Sequence, residues 1–180
     1  MCSSDLARVT GLDFSAAALA EARALAERVG VDVRFVESEL YAAPMALDAT
    51  YDLVYTGVGA LNWLPDIAAW AQVVATLLRP GGRLHLREGH PMLWTLADPR
   101  PDGLLVVEYP YRETVDPDMF DEPGTYVRTD VEFTHNRTYE WNHGLGEIVT
   151  ALLDSGFRLT RLEEHDSAPW DALPGMMDDE

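Results

Sequence analysis

Short apolar runs alternate with stretches of helical periodicity, and this alternation most tightly limits what the chain can fold into. Arg8 to Asp13 (RVTGLD) suits a strand buried on both faces. Ser15 follows as a helix cap, and Leu19, Ala22, Leu25, Ala26 and Val29 then recur at helical spacing up to Gly30, a natural terminator. Val31 to Val36 and Tyr51 to Thr56 read as further strands. Asp66 is placed to cap a helix with Ile67, Trp70, Val73, Val74, Leu77 and Leu78 on one face. Pro80-Gly81-Gly82 stops that helix and turns the chain into a strand at Arg83 to Arg87. Parallel strands joined by helices imply right-handed crossovers, so the predicted class is α/β: a Rossmann-like, mainly parallel sheet with helices on both faces.

Residues 91–142 break the rhythm. They are rich in Pro and Asp and carry β-favouring runs at Leu104 to Tyr109 and Tyr126 to Phe133, which predicts an antiparallel β insertion within one domain. A helical stripe resumes at Leu145, Ile148, Val149, Leu152 and Leu153 and ends at Gly156. Phe157 to Glu163 reads as a last strand, and residues 168–180 as an acidic, frayed tail.

Charge narrows the partners. Thirty-one acidic residues face thirteen basic ones, every one of them arginine, for a formal net charge of -18. Such a surface repels nucleic acid and anionic membrane, which disfavours both as partners. Without lysine, Schiff-base chemistry and a P-loop are excluded. The single Cys allows neither an internal disulfide nor a cysteine zinc site, and no His or carboxylate pair has metal-ligand spacing. Neither a membrane-spanning apolar run nor a signal segment is visible, so the cytoplasm is the expected location.

Asp13 is the most informative single residue. A carboxylate at the carboxyl end of the second strand of a dinucleotide-type fold accepts hydrogen bonds from ribose hydroxyls. An Asp in this position can equally serve as a helix-capping acid. The glycine-rich loop that accompanies a ribose-binding acid should lie about 20 residues upstream, beyond the start of this chain.

Four segments in order carry a resemblance. Val9-Thr10-Gly11-Leu12-Asp13-Phe14-Ser15 resembles the second-strand motif of class I S-adenosylmethionine-dependent methyltransferases, and Tyr51-Asp52-Leu53-Val54-Tyr55 their fourth strand. Leu77-Leu78-Arg79-Pro80-Gly81-Gly82-Arg83-Leu84 is similar to their helix-to-fifth-strand junction, and Leu152-Leu153-Asp154-Ser155-Gly156-Phe157 to the approach to the sixth strand. The resemblance covers most of positions 7–90 and 143–165, and it implies methyl transfer from S-adenosyl-L-methionine to a small-molecule acceptor. It assigns Asp13 to the cofactor ribose and Phe14 to the adenine face, where a core role is the competing reading. Glu39 stands where the family usually has Asp, with the amide of Leu40 reading the adenine edge; a solvated surface acid is the alternative. Thr56 and Gly57 would approach the methionine part.

The motif that grips the methionine end is not found. Cys2-Ser3-Ser4-Asp5-Leu6 matches what a common sequencing-adapter tail would translate to. The expectation is therefore a non-native leader at 1–6 joined to a partial domain at 7–167, lacking the first strand and the last. The strands holding Asp13 and Thr56 should then lie side by side or flank an open gap.

For the acceptor, the candidates are His90, Tyr109, Tyr111, Tyr139, Trp141 and His143, with the insertion covering the pocket; no general base can be selected among them. An NAD(P)-dependent oxidoreductase shares the ribose acid but not the Pro-Gly-Gly junction. A non-catalytic fragment that pairs through exposed strand edges is the other alternative.

Overall fold

The computed structural model describes residues 7–57, 59–121, 135–168, 170 and 172–173. The leader at 1–6, the run at 126–133 and most of the acidic tail lie outside them.

The predicted alternation is present. β1 (Val9–Asp13) runs parallel to β2 (Val33–Glu37), with Asp13 opposite Glu37. Between them lies α1 (Ala16–Val29). The Ser15 hydroxyl accepts the Ala18 N–H at 3.2 Å, and Gly30 closes the helix at φ 71°. β3 (Tyr51–Thr56) runs parallel to β4 (Leu78–Leu86) through α3 (Ile67–Leu77), whose cap is the Asp66 carboxylate on the Ala69 N–H at 2.8 Å. A short α2 (Ala43–Leu47) lies between β2 and β3.

Leu78 corrects the expected helix. It opens β4 opposite Tyr51, because the ring of Pro80 bars Arg79 from helical geometry and the helix ends before it. Gly82 is required in this turn: a Cβ there would lie 2.9 Å from the Arg79 carbonyl oxygen and 3.1 Å from that of Tyr51.

The core centres on α3. Trp70 (1% exposed), Ala71 and Val74 pack with Leu61, Ile148 and Ala151 of α4 (Leu145–Asp154), and Val54, Leu84 and Leu86 of β3–β4 lie against them. Val73 and Leu77 meet Ala43 and Leu47, with Leu12 and Val36 of β1–β2 and Tyr51 and Val54 of β3 on the same cluster. The two strand pairs share this core but no ladder. Among the described residues they form separate two-stranded sheets, so the strands of Asp13 and Thr56 are not hydrogen-bonded neighbours.

Among the described residues, helices flank both faces of β1–β2. Leu12 and Val36 face the α2–α3 cluster, while the Arg23 guanidinium of α1 sits 5.9 Å from the Phe35 ring on the other side. On β3–β4 the outer face carries Leu53 (55% exposed), Tyr55 (62%) and His85, the last two stacked at 5.5 Å.

The insertion is antiparallel, as expected, but by different strands: β5 (Asp118–Asp121) pairs with β6 (Arg137–Glu140), and Val107 makes an isolated bridge to Leu96. Both strands are short and polar, which hid them from a hydropathy reading. Phe157 to Glu163 is not a strand. Phe157 docks on the core, but no described residue offers its backbone a ladder partner, and alternation alone cannot sustain a strand.

Candidate functional site

At the end of β1 the Asp13 carboxylate accepts the Ser15 N–H at 2.7 Å, and its carbonyl accepts the Ser38 N–H at 3.0 Å from the end of β2. One oxygen thus serves the local turn, while the helix cap itself is Ser15. A carboxylate offers about four lone-pair sites, so acceptor capacity remains. Phe14 is 78% exposed, which rules out its core reading. Glu39 is engaged locally: its carboxylate accepts the Tyr41 N–H at 2.9 Å and caps the 3₁₀ turn Leu40–Ala42, while Leu40 packs on the core.

Tyr41, in the turn after β2, is tied to the start of α3. Its hydroxyl accepts the Asp66 N–H and donates to the Asp66 carbonyl, both at 3.2 Å, and burial raises its pKa. Thr56, at the end of β3, accepts the Arg87 N–H at 3.3 Å through its carbonyl. Gly57 is half-buried, and a Cβ there would meet only Tyr55 at an ordinary 3.6 Å, so the protein itself does not demand glycine.

Just past β4 stands a residue that sequence reasoning passed over in favour of His90. The carboxylate of Glu88 crosses to the turn after β3, accepting the Gly59 N–H at 2.8 Å and the Ala60 N–H at 3.1 Å. Burial pushes its pKa up to about 7 against the opposing pull of these amides. Glu88 lines a cavity of about 20 Å³, enough for one water, with Leu61, Asn62, Trp94, Trp141 and His143. The Asn62 amide donates to Glu140 at 3.1 Å, which fixes its orientation. Its Oδ1 and the Trp141 Nε1 are buried with no hydrogen-bond partner among the described residues.

Trp141 and His143 therefore meet Glu88 at one cavity. His143 is 3% exposed, and its Nε2 lies 3.0 Å from the Leu61 carbonyl oxygen and 2.9 Å from that of Leu64, so this nitrogen carries the hydrogen. Its Nδ1 is 2.9 Å from Glu113, close enough for an ion pair although not aligned as a hydrogen bond. The other candidates lie outside that lining. His90 accepts the Met92 N–H through Nδ1 and pairs through Nε2 with Glu164 at 2.7 Å. Tyr109 packs on Phe120 with ring centroids 5.4 Å apart. The Tyr111 hydroxyl accepts the Leu145 N–H, and Tyr139 is half-exposed on β6.

Among the described residues no group of three His, Cys, Asp or Glu could hold a metal, and no helix is long and apolar enough to cross a membrane.

Comparison with known proteins adds three findings. A family model described as a methyltransferase domain matches residues 2–82. The chain is 38% identical over 85 residues to demethylmenaquinone methyltransferase of Thermus thermophilus, spanning 47% of this chain and 38% of that protein. It is likewise 38% identical over 78 residues to the ubiquinone biosynthesis O-methyltransferase of Pectobacterium carotovorum, spanning 43% and 32%. The chain thus spans about a third of the length of these curated relatives. In fold it is similar to an S-adenosylmethionine-dependent methyltransferase from Mesorhizobium loti, at a TM-score of 0.58 and 24% identity over 88% of this chain and 67% of that one.

Proposed function

We propose that the chain is a class I S-adenosylmethionine-dependent methyltransferase, a reading supported by the family-model match and the curated relatives, that it binds S-adenosyl-L-methionine beyond the carboxyl ends of β1, β2 and β3, and that it serves methyl transfer to a small-molecule acceptor. One observation carries this reading: a carboxylate with acceptor capacity, Asp13, stands at the end of a parallel strand of this fold, beside an exposed aromatic ring, Phe14. Ribose hydroxyls donate to such a carboxylate, and an adenine ring finds in Phe14 both area and a stacking face. The residues present fit the nucleoside half of the cofactor. For the methionine half they offer the backbone at Thr56–Gly57.

The cofactor, when bound, supplies an activated methyl group on a sulfonium. The protein's task is to align the acceptor in line with that methyl and to exclude water. A base is needed only where the acceptor must lose a proton. We assign the acceptor to the region around Trp141 and His143, at the cavity they line with Glu88, with His90 and Tyr109 as further candidates. The acidic surface favours a neutral or cationic small molecule over a polyanion.

Isothermal titration with S-adenosyl-L-methionine tests the reading on the wild-type chain and on Asp13→Asn. Loss of a charged acceptor costs about 1.5–3 kcal/mol, so Kd should rise about tenfold or more. Unchanged affinity in Asp13→Asn, or binding of NAD in place of S-adenosyl-L-methionine, would refute it.

A further inference from the structure

We propose that Glu88 is a positioning residue for the cofactor: from the end of β4 its carboxylate fixes the backbone of the turn after β3, and so holds Thr56 and Gly57 in place. The inference rests on the cofactor reading above.

Three observations carry it. The carboxylate grips two successive backbone N–H groups, of Gly59 and Ala60, across 29 and 28 residues of sequence. Gly59 has φ 72°, so the turn adopts a left-handed backbone and gains from an external anchor. The same two strand ends are also joined by the longer bond from the Arg87 N–H to the Thr56 carbonyl at 3.3 Å. Ionised, Glu88 accepts from both amides. Protonated, it turns one acceptor site into a donor and the grip weakens. With its pKa pushed up to about 7, this exchange falls near neutrality. Among the described residues the other titratable group lining the cavity is His143, whose Nδ1 lies against Glu113; Glu140 is bonded to Asn62. The rest of the lining, Leu61, Trp94 and Trp141 among it, carries no charge.

Two readouts on the intact chain test the role, one of them independent of cofactor. In amide-resolved NMR, the Gly59 and Ala60 signals of the wild type should titrate with a midpoint near pH 7. In Glu88→Gln, which mimics the protonated carboxyl, they should be flat. By titration calorimetry, wild-type affinity for S-adenosyl-L-methionine should fall about tenfold between pH 8 and pH 6. Glu88→Gln should bind weakly at both, and Glu88→Asp, which keeps the charge but withdraws it by a methylene, should also bind weakly. Asp13→Asn should lose affinity at every pH while keeping the pH slope. Identical amide titrations in wild type and Glu88→Gln, or wild-type affinity in Glu88→Gln, would overturn the positioning role alone. An intact amide titration with no S-adenosyl-L-methionine binding by the wild type would overturn the cofactor reading and leave only a structural hold.

Discussion

Replacing His143 by Ala should destabilise this protein more than any other single polar change described above. The imidazole holds three separate segments. Its Nε2 serves the carbonyls of Leu61 and Leu64 beside the 3₁₀ turn, and its Nδ1 faces Glu113 of the insertion; the residue itself leads into α4. Ala leaves the Leu64 carbonyl without this donor, the Leu61 carbonyl with the Leu64 N–H alone, and a carboxylate without its neighbour. A buried group left unsatisfied costs about 1–3 kcal/mol. Leu64 and Glu113 are only partly buried, which places each near the low end. The expected loss is therefore about 3 kcal/mol, out of a net stability of about 5–15 kcal/mol for a typical domain. Urea unfolding followed by tryptophan fluorescence and far-ultraviolet circular dichroism measures it. With m of about 2 kcal/mol per molar, the midpoint should fall by about 1.5 M. His143→Gln keeps one donor in reach of the carbonyls and should recover part of the loss. Glu113→Gln should lose about 1 kcal/mol, since its remaining oxygen can still accept the Ile67 N–H now held at 2.8 Å. A loss below about 1 kcal/mol in His143→Ala would refute the reasoning, because the three segments would then not depend on the ring.

Two further changes have defined signs. Glu88 has its folded pKa raised from 4.5 to about 7, so the folded state binds the proton more tightly than the unfolded state. The stability from protonated Glu88 is present in full below about pH 4.5 and lost as pH rises through 7. Glu88→Gln should therefore match wild type at pH 4.5 and exceed it at pH 8, by about 1–2 kcal/mol after solvent screening of a half-buried group. Melting curves across that range check the direction, and a variant less stable than wild type at pH 8 contradicts it. Asn142 donates through one Nδ2 to the carbonyls of Pro91 and Pro110, both at 2.9 Å, pinning both ends of the first insertion segment. Asn142→Ala should cost about 2 kcal/mol and speed proteolysis within 91–110, read by limited digestion; unchanged digestion would refute it.

The parts of the fold legible in the sequence are those set by neighbours along the chain. Ser15, Gly30 and Asp66 announce their helix boundaries because capping acts within three or four residues. The parallel strands were legible because apolar runs of that length have few other uses. The misreadings have a common source. Leu78 has the apolar spacing of α3, but the proline two residues on decides its backbone. Phe157 to Glu163 alternates like a strand, yet a strand is defined by a partner that the segment itself does not encode. In the insertion, Asp118–Asp121 and Arg137–Glu140 pair through backbone and charge, with Arg137 and Asp121 bridged at 3.0 Å, and neither run is apolar enough to read alone.

The candidate site divides along the same line. Asp13 is legible because its place after an apolar run fixes which end of the strand it occupies, whatever the rest of the chain does. Glu88 has an equally telling place, directly after a strand, but its chemistry resides in what it touches: the N–H groups of Gly59 and Ala60. Every residue but proline supplies that N–H, so the sequence of the turn holds no signature of being gripped. His143 was picked out as a polar candidate, but its hold on backbone was hidden in the same way, since its Nε2 partners are carbonyl oxygens 82 and 79 residues away. Side chains that recognise backbone leave no complementary residue to find. A sequence therefore displays its groups for binding solutes more readily than those that hold its own loops. In the positioning role proposed for Glu88, the second kind sets the backbone that leads out of Thr56 and Gly57.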